Sequence, residues 1–205
     1  MAVDRPPAAG MEGIRRYVQN EEQMRVVMGI DPGTANLGFG VVRIEDGHMV
    51  ALDGGVIETN AGQALEHRLA HIHGGLLELL DWHQPSAIAI EDIYFGTNVS
   101  SAMKVGQAAG VVMLAAAQRG VDCFSYTPQA IKVAVCGSGE AAKRQVQKMA
   151  GTLLNLTEMP RPDHAADALA VAICHGGTAG RREAEEAARI KGSSAPAEQA
   201  ERVPG

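Results

Sequence analysis

Five runs rich in Val, Ile and other apolar residues, separated by segments of helical period, constrain this fold most. The first, Arg25–Asp31 (RVVMGID), has strand length and reads as a buried strand. Pro32 to Asn36 is a turn. Gly38–Ile44 and Met49–Thr59 read as the second and third strands, joined by a turn at Asp46-Gly47. Links this short join antiparallel neighbours, so these three strands form a meander. Residues 62–82 place Leu65, Leu69, Ile72, Leu76, Leu77 and Leu80 at helical spacing. Ser86–Glu91 (SAIAIE) is a fourth strand, 100–118 a long Ala- and Gly-containing helix, and Val121–Tyr126 a fifth strand. Helices follow over 128–135, 140–155 and 162–176. The order predicts an α/β fold, a five-stranded mixed sheet flanked by helices on both faces.

The 205 residues suit one domain with terminal extensions. Residues 1–23, with Pro6-Pro7, Gly10 and Gly13, read as a flexible N-terminal extension. Met24, directly before the first strand, could itself be an initiator. The expected folded domain is 24–177. Residues 178–205 are charged and Ala-rich and close on Ser, Pro and Gly, so a frayed helix running into a disordered tail is expected. The longest apolar runs, Val111 to Ala117 and Ala168 to Cys174, are seven residues, far short of the roughly 20 a membrane span needs. The first ten residues hold no apolar core of a secretory signal, so a cytoplasmic protein is expected. Cys123, Cys136 and Cys174 form no metal-binding or disulfide spacing and read as buried small apolar residues.

Asp31 closes the first strand and Glu91 the fourth, each after an apolar run. Sites in α/β sheets gather at the carboxyl ends of strands. If those strands are neighbours, the two carboxylates meet at one rim, where hard cations find oxygen ligands. A third element is Asp163-His164-Ala165-Ala166-Asp167. Asp167 lies among Ala and Leu, and a polar group in such a stripe needs a partner such as a metal. His164 is three residues before Asp167 and Asp163 four, so both share its helical face and spacing does not choose between them. Asp163 also suits a helix cap, beside Pro162 in the first turn. Carboxylates from different elements, with Asp31 bridging from a central strand, would hold two Mg²⁺ ions of the kind that hydrolyse phosphodiesters.

The segments MGIDPGTANLGFGVV, AIAIEDIYFGTNVSSAMKVGQAAGVV, YTPQAIKVAVCGSGEAAKRQVQKMA and RPDHAADALAVAICH, in this order and spacing, resemble the RuvC family of bacterial Holliday-junction resolvases. The resemblance spans about 24–177. It implies an RNase H-like fold and a homodimer whose subunits meet through the 100–118 helix. It implies paired nicks in two strands of like polarity across a four-way DNA junction, leaving 5′-phosphate and 3′-hydroxyl ends. A preference for the sequence at the cut and a partnership with the RuvA–RuvB branch-migration complex are implied too. The family's metal ligands fall on Asp31, Glu91, His164 and Asp167. Many relatives carry Asp where this chain has His164. An imidazole there suits Mn²⁺ better than Mg²⁺.

The resemblance also assigns DNA contacts. Tyr94 matches an aromatic that stacks on an unpaired junction base, and Phe95 adjoins it. Aromatics are only 3% of the chain, so the pair beside Glu91 is notable. Stacking of this kind is worth about 1–3 kcal/mol per base. Asn98, in the polar loop that follows, could touch a phosphate or a base. Lys132 and Lys143 match positions near the scissile phosphate. With Arg144, Lys148, Lys104 and Arg161 they lie mostly in acid-free intervals, so a local positive face is expected although the net charge is −6.

Three rivals compete with this reading. An actin-like ATPase using the DPGT turn would need a second phosphate loop and a longer chain. A non-catalytic junction-binding protein would have little reason to keep Asp31, Glu91 and Asp167. The third is an RNase H-like nuclease acting on another structured nucleic acid.

Overall fold

The structure is a computed structural model and describes residues 24–92, 99–158 and 161–193. Its strands are β1 (Arg25–Asp31), β2 (Asn36–Glu45), β3 (His48–Glu58), β4 (Ala87–Glu91) and β5 (Asp122–Tyr126). Its helices are α1 (Leu65–His83), α2 (Val99–Gln118), α3 (Pro128–Cys136), α4 (Lys143–Leu153) and α5 (Asp163–Ser193). The strands form one sheet in the order β3-β2-β1-β4-β5. The β1–β2 and β2–β3 pairs are antiparallel, as the short links require, and β1–β4 and β4–β5 are parallel. This is the mixed sheet expected, with β1 at its centre.

Three helix ends differ from the sequence expectation. Helix α1 starts at Leu65 rather than 62, because a turn forms first. In it Gly62 N–H donates to the Asn60 side chain and Gln63 N–H to the Asn60 carbonyl. Helix α4 starts at Lys143 rather than 140, where Gln145 Oε1 accepts from Ala142 N–H and caps the first turn. Helix α5 does not end near 176 but runs unbroken to Ser193.

Strand alternation divides the side chains between two layers. Met28, Ile30, Leu37, Val41, Ile88 and Ile90 pack under α1 and α2. Val27, Val42, Ile44 and Ala89 face the other way, onto α3, α4 and α5. Asp31 and Glu91 share parity with that second set, so both emerge on the α5 side.

Helix α5 lies unusually close to the sheet because β1 and β2 offer it glycine. Gly29 pairs with Gly40, and Asp31 with Gly38, across the two strands. A Cβ on Gly29 would collide with the Ala168 carbonyl and stand 2.6 Å from Ala172 N. On Gly40 it would meet Leu169 N at 2.7 Å, and on Gly38 it would strike the His164 carbonyl. Glycine within a strand marks such a close backbone approach. Three side chains are removed from one face, and the N-terminal turns of α5 settle beside the end of β1.

Candidate active site

The site begins with strand register. Ile30 pairs with Ile90 in the parallel β1–β4 ladder, so Asp31 and Glu91 follow side by side at its carboxyl end. Above them, the glycine cleft lets the first turns of α5 descend. His164 Nδ1 is then 2.7 Å from Asp31 Oδ2. Single ligand atoms of Asp31, His164 and Asp167 all lie within 4.8 Å of one another. Asp163, the alternative that spacing left open, begins α5 on its exposed side and is outside this group.

Glu91 lines the same cavity of about 340 Å³ as Asp31, His164 and Asp167. Pro128, Ile131 and Lys132 from α3, with Lys143 and Val146 from α4, complete its wall. Gly38 decides this geometry, since a side chain there would push His164 away from Asp31. Sequence reasoning passed over Gly29, Gly38 and Gly40. Their signal was visible in GFG at alternate positions of a strand.

The electrostatics are those of carboxylates crowded together without enough positive charge. Burial pushes the Glu91 carboxyl up to about 7, and the charges of Asp31 and Asp167 push it the same way. Asp31 is also raised, chiefly by burial, although its hydrogen bond with His164 pulls against that. Lys143 answers part of the charge. Its Nζ is 2.6 Å from Asp167 Oδ2, and this contact raises the pKa of the lysine. The other carboxylate oxygen, Oδ1, accepts from Gln147 Nε2 at 3.1 Å.

Carboxylate oxygens and one imidazole nitrogen, converging from a strand end and a helix, are the donor set of a hard or borderline divalent cation. A cation would also relieve the repulsion that raises Glu91 and Asp31. The residues therefore suit such an ion.

The basic residues separate into those near the cavity and those away from it. Lys143, Arg144, Gln147, Lys148, Arg161, Pro162, Asp163 and His164 line one open groove of about 1200 Å³. Lys143 and His164 belong to both spaces, so the groove leads into the acidic cavity. Lys132 lies on the cavity wall and its charge lowers Glu91. Lys104 is exposed on α2 and lines neither space. A chain of net charge −6 thus gathers cations along one path. Tyr94, Phe95 and Asn98 lie outside the described residues.

Comparison with known proteins places this arrangement. The family model described as "Crossover junction endodeoxyribonuclease RuvC" matches residues 27–175. A protein of that name from Rubrobacter xylanophilus is 49% identical over 145 residues, which are 71% of this chain and 81% of the relative. One from Chloroflexus aurantiacus is 47% identical over 142 residues, 69% of this chain and 87% of the relative. Among solved structures, Thermus thermophilus RuvC in complex with a Holliday junction substrate superimposes with a TM-score of 0.74. Its identity is 40%, and the match covers 77% of this chain and 96% of that one. The yeast mitochondrial Holliday junction resolvase aligns with a TM-score of 0.60 at 14% identity over 80% of this chain and 83% of that one, a likeness of fold.

Proposed function

The chain belongs to the RuvC family of crossover junction endodeoxyribonucleases, and from that premise we propose that the cavity where β1 and β4 end is where it cuts a four-way junction. It is a Holliday-junction resolving endonuclease of DNA recombination and repair with an RNase H-like fold. Its activity depends on a divalent metal ion. The carrying observation is the convergence of Asp31, His164 and Asp167 within 4.8 Å, in a cavity shared with Glu91 and open to a cationic groove.

In this reading Asp31, Glu91, His164 and Asp167 would hold two divalent ions, Mg²⁺ or Mn²⁺. Two such ions supply an activated water and neutralise the leaving oxygen. With ions bound there, the Asp31–His164 hydrogen bond and the Lys143–Asp167 contact would be exchanged for them. The Lys143 side chain is 60% exposed and free to swing toward a phosphate in the groove. Arg144, Lys148 and Arg161 fix the backbone of the strand along that groove, and Lys132 approaches from α3. Water oxygen forms the new bond to phosphorus, the bond to the 3′ oxygen breaks, and that oxygen takes up a proton. The ends are a 5′-phosphate and a 3′-hydroxyl. By the family resemblance, Tyr94 and Phe95 would stack on a junction base and Asn98 would contact the DNA.

Two like-oriented cuts need two sites, and a homodimer supplies them. Helix α2 supports this by exposing Met103, Met113 and Leu114 beside small residues. Work with a RuvA–RuvB complex in the cytoplasm follows from the family role. No described helix is long and apolar enough to cross a membrane.

The test is a mobile four-way junction incubated with the protein and Mg²⁺ or Mn²⁺. Symmetric nicks in two strands of like polarity are expected. Asp167→Asn should remove the nicks and leave junction binding intact. Binding by the wild type without nicks under either metal would refute the proposal.

A further inference from the structure

Asp167 presents two carboxylate oxygens, and helix α4 treats them differently. Lys143 and Gln147 stand four residues apart on one face of α4, a full turn along the helix. Lys143 reaches Oδ2 at 2.6 Å and Gln147 reaches Oδ1 at 3.1 Å. The two contacts differ in permanence. The lysine side chain is largely in solvent and able to depart. Gln147 is only 5% exposed, fixed among Val146, Ala150 and Gly151 on the buried side of α4. A carboxylate only accepts hydrogen bonds, so the amide nitrogen of Gln147 must be the atom that faces it.

We propose that Gln147 is the positioning residue of Asp167: its buried amide holds Oδ1 and leaves Oδ2 as the oxygen offered to a divalent cation. The proposal rests on the reading of Asp167 as a metal ligand. Lys143 marks the place, since its ammonium lies against Oδ2 and its exposed side chain can swing away. Without Gln147 the carboxylate would keep only its contact with Lys143, and once that lysine moved it would turn about its last torsion. Oδ1 would lose its donor, so each metal-binding event would have to restrict the carboxylate again. Partners that orient a ligand in this way commonly govern metal affinity by 10–100-fold.

The variant Gln147→Met keeps the volume and removes the donor. Mn²⁺ alone is titrated into the full-length, DNA-free protein, with free ion followed by electron paramagnetic resonance. Binding weakened about 10–100-fold is expected. Nicking at saturating Mn²⁺ should return to within a few fold of wild type. A Gln147→Met protein that melts normally and binds Mn²⁺ as wild type does would overturn the proposal. If that variant melts early, Gln147→Asn withdraws the donor by one methylene and must weaken Mn²⁺ in the same way. Wild-type affinity there overturns the proposal equally. Asp167→Asn separates the two ideas. If it keeps Mn²⁺, the ligand reading fails and the proposal falls with it. If it loses Mn²⁺ while Gln147→Met retains it, only the role of Gln147 fails.

Discussion

Glu91→Gln should make the metal-free protein more stable, and only at neutral or alkaline pH. The Glu91 carboxyl is raised from its ordinary 4.5 to about 7, first by burial and then by the charges of Asp31 and Asp167. Between those pH values the folded protein holds a proton that the unfolded chain has released. Stability therefore falls as pH rises through this window and levels off above it. Each pH unit is worth about 1.4 kcal/mol, so the interval caps the effect at roughly 3 kcal/mol. The carboxyl is only partly buried, and solvent screening at the cavity mouth brings the expectation down to about 1–2 kcal/mol. Glutamine has the shape without the charge and escapes this cost. For a chain of this length the gain corresponds to a Tm higher by about 3–6 °C. Circular-dichroism melts in EDTA at pH 5 and pH 8 measure it. The variant should exceed wild type at pH 8 and lose most of that advantage at pH 5. Added Mn²⁺ should then raise the wild-type Tm more than that of the variant, because binding to the folded state stabilises it. Equal melting at pH 8, or a gain that is the same at both pH values, would show that Glu91 carries no such strain.

His164→Asp should retain or improve nicking with Mg²⁺ and narrow the preference for Mn²⁺, as read from cleavage rates under each metal; loss of activity with both would refute it. Gly38→Ala places a methyl against the His164 carbonyl. It should cost about 1–3 kcal/mol in urea unfolding and weaken Mn²⁺ binding as well, since α5 must retreat from Asp31. Junction binding should fall steeply with salt, and Lys148→Ala or Arg144→Ala should each reduce the slope of log K against log salt by about one. A salt-insensitive affinity would contradict the basic groove.

Much of the fold was legible because its signals are local. The three-strand meander announces itself through short links, and the strand ends at Asp31 and Glu91 through apolar runs that stop on an acid. The helix boundaries were less legible. The turn at Asn60 and the Gln145 cap depend on side-chain hydrogen bonds that periodicity does not register. The length of α5 was missed because charged, Ala-rich sequence suits both an exposed helix and a disordered tail. The four-block resemblance was strong enough to indicate the family before any geometry, and it set Lys132 and Lys143 near the scissile phosphate without showing how the remaining cations line up.

The sequence by itself determined which residues could do chemistry. It supplied acids at two strand ends, a His/Asp pair on a helix and cations in acid-free intervals. Tertiary structure decided which of them meet. The parallel pairing of β1 with β4 put Asp31 beside Glu91. The glycines of β1 and β2 brought α5 close enough for His164, rather than Asp163, to reach Asp31. The placing of α4 against α5 gave Asp167 its two partners, Lys143 and Gln147. The physical reason is range. Propensity and periodicity act over a few residues, whereas a cation site needs atoms far apart in sequence to converge within a few ångströms, which only packing and register can arrange.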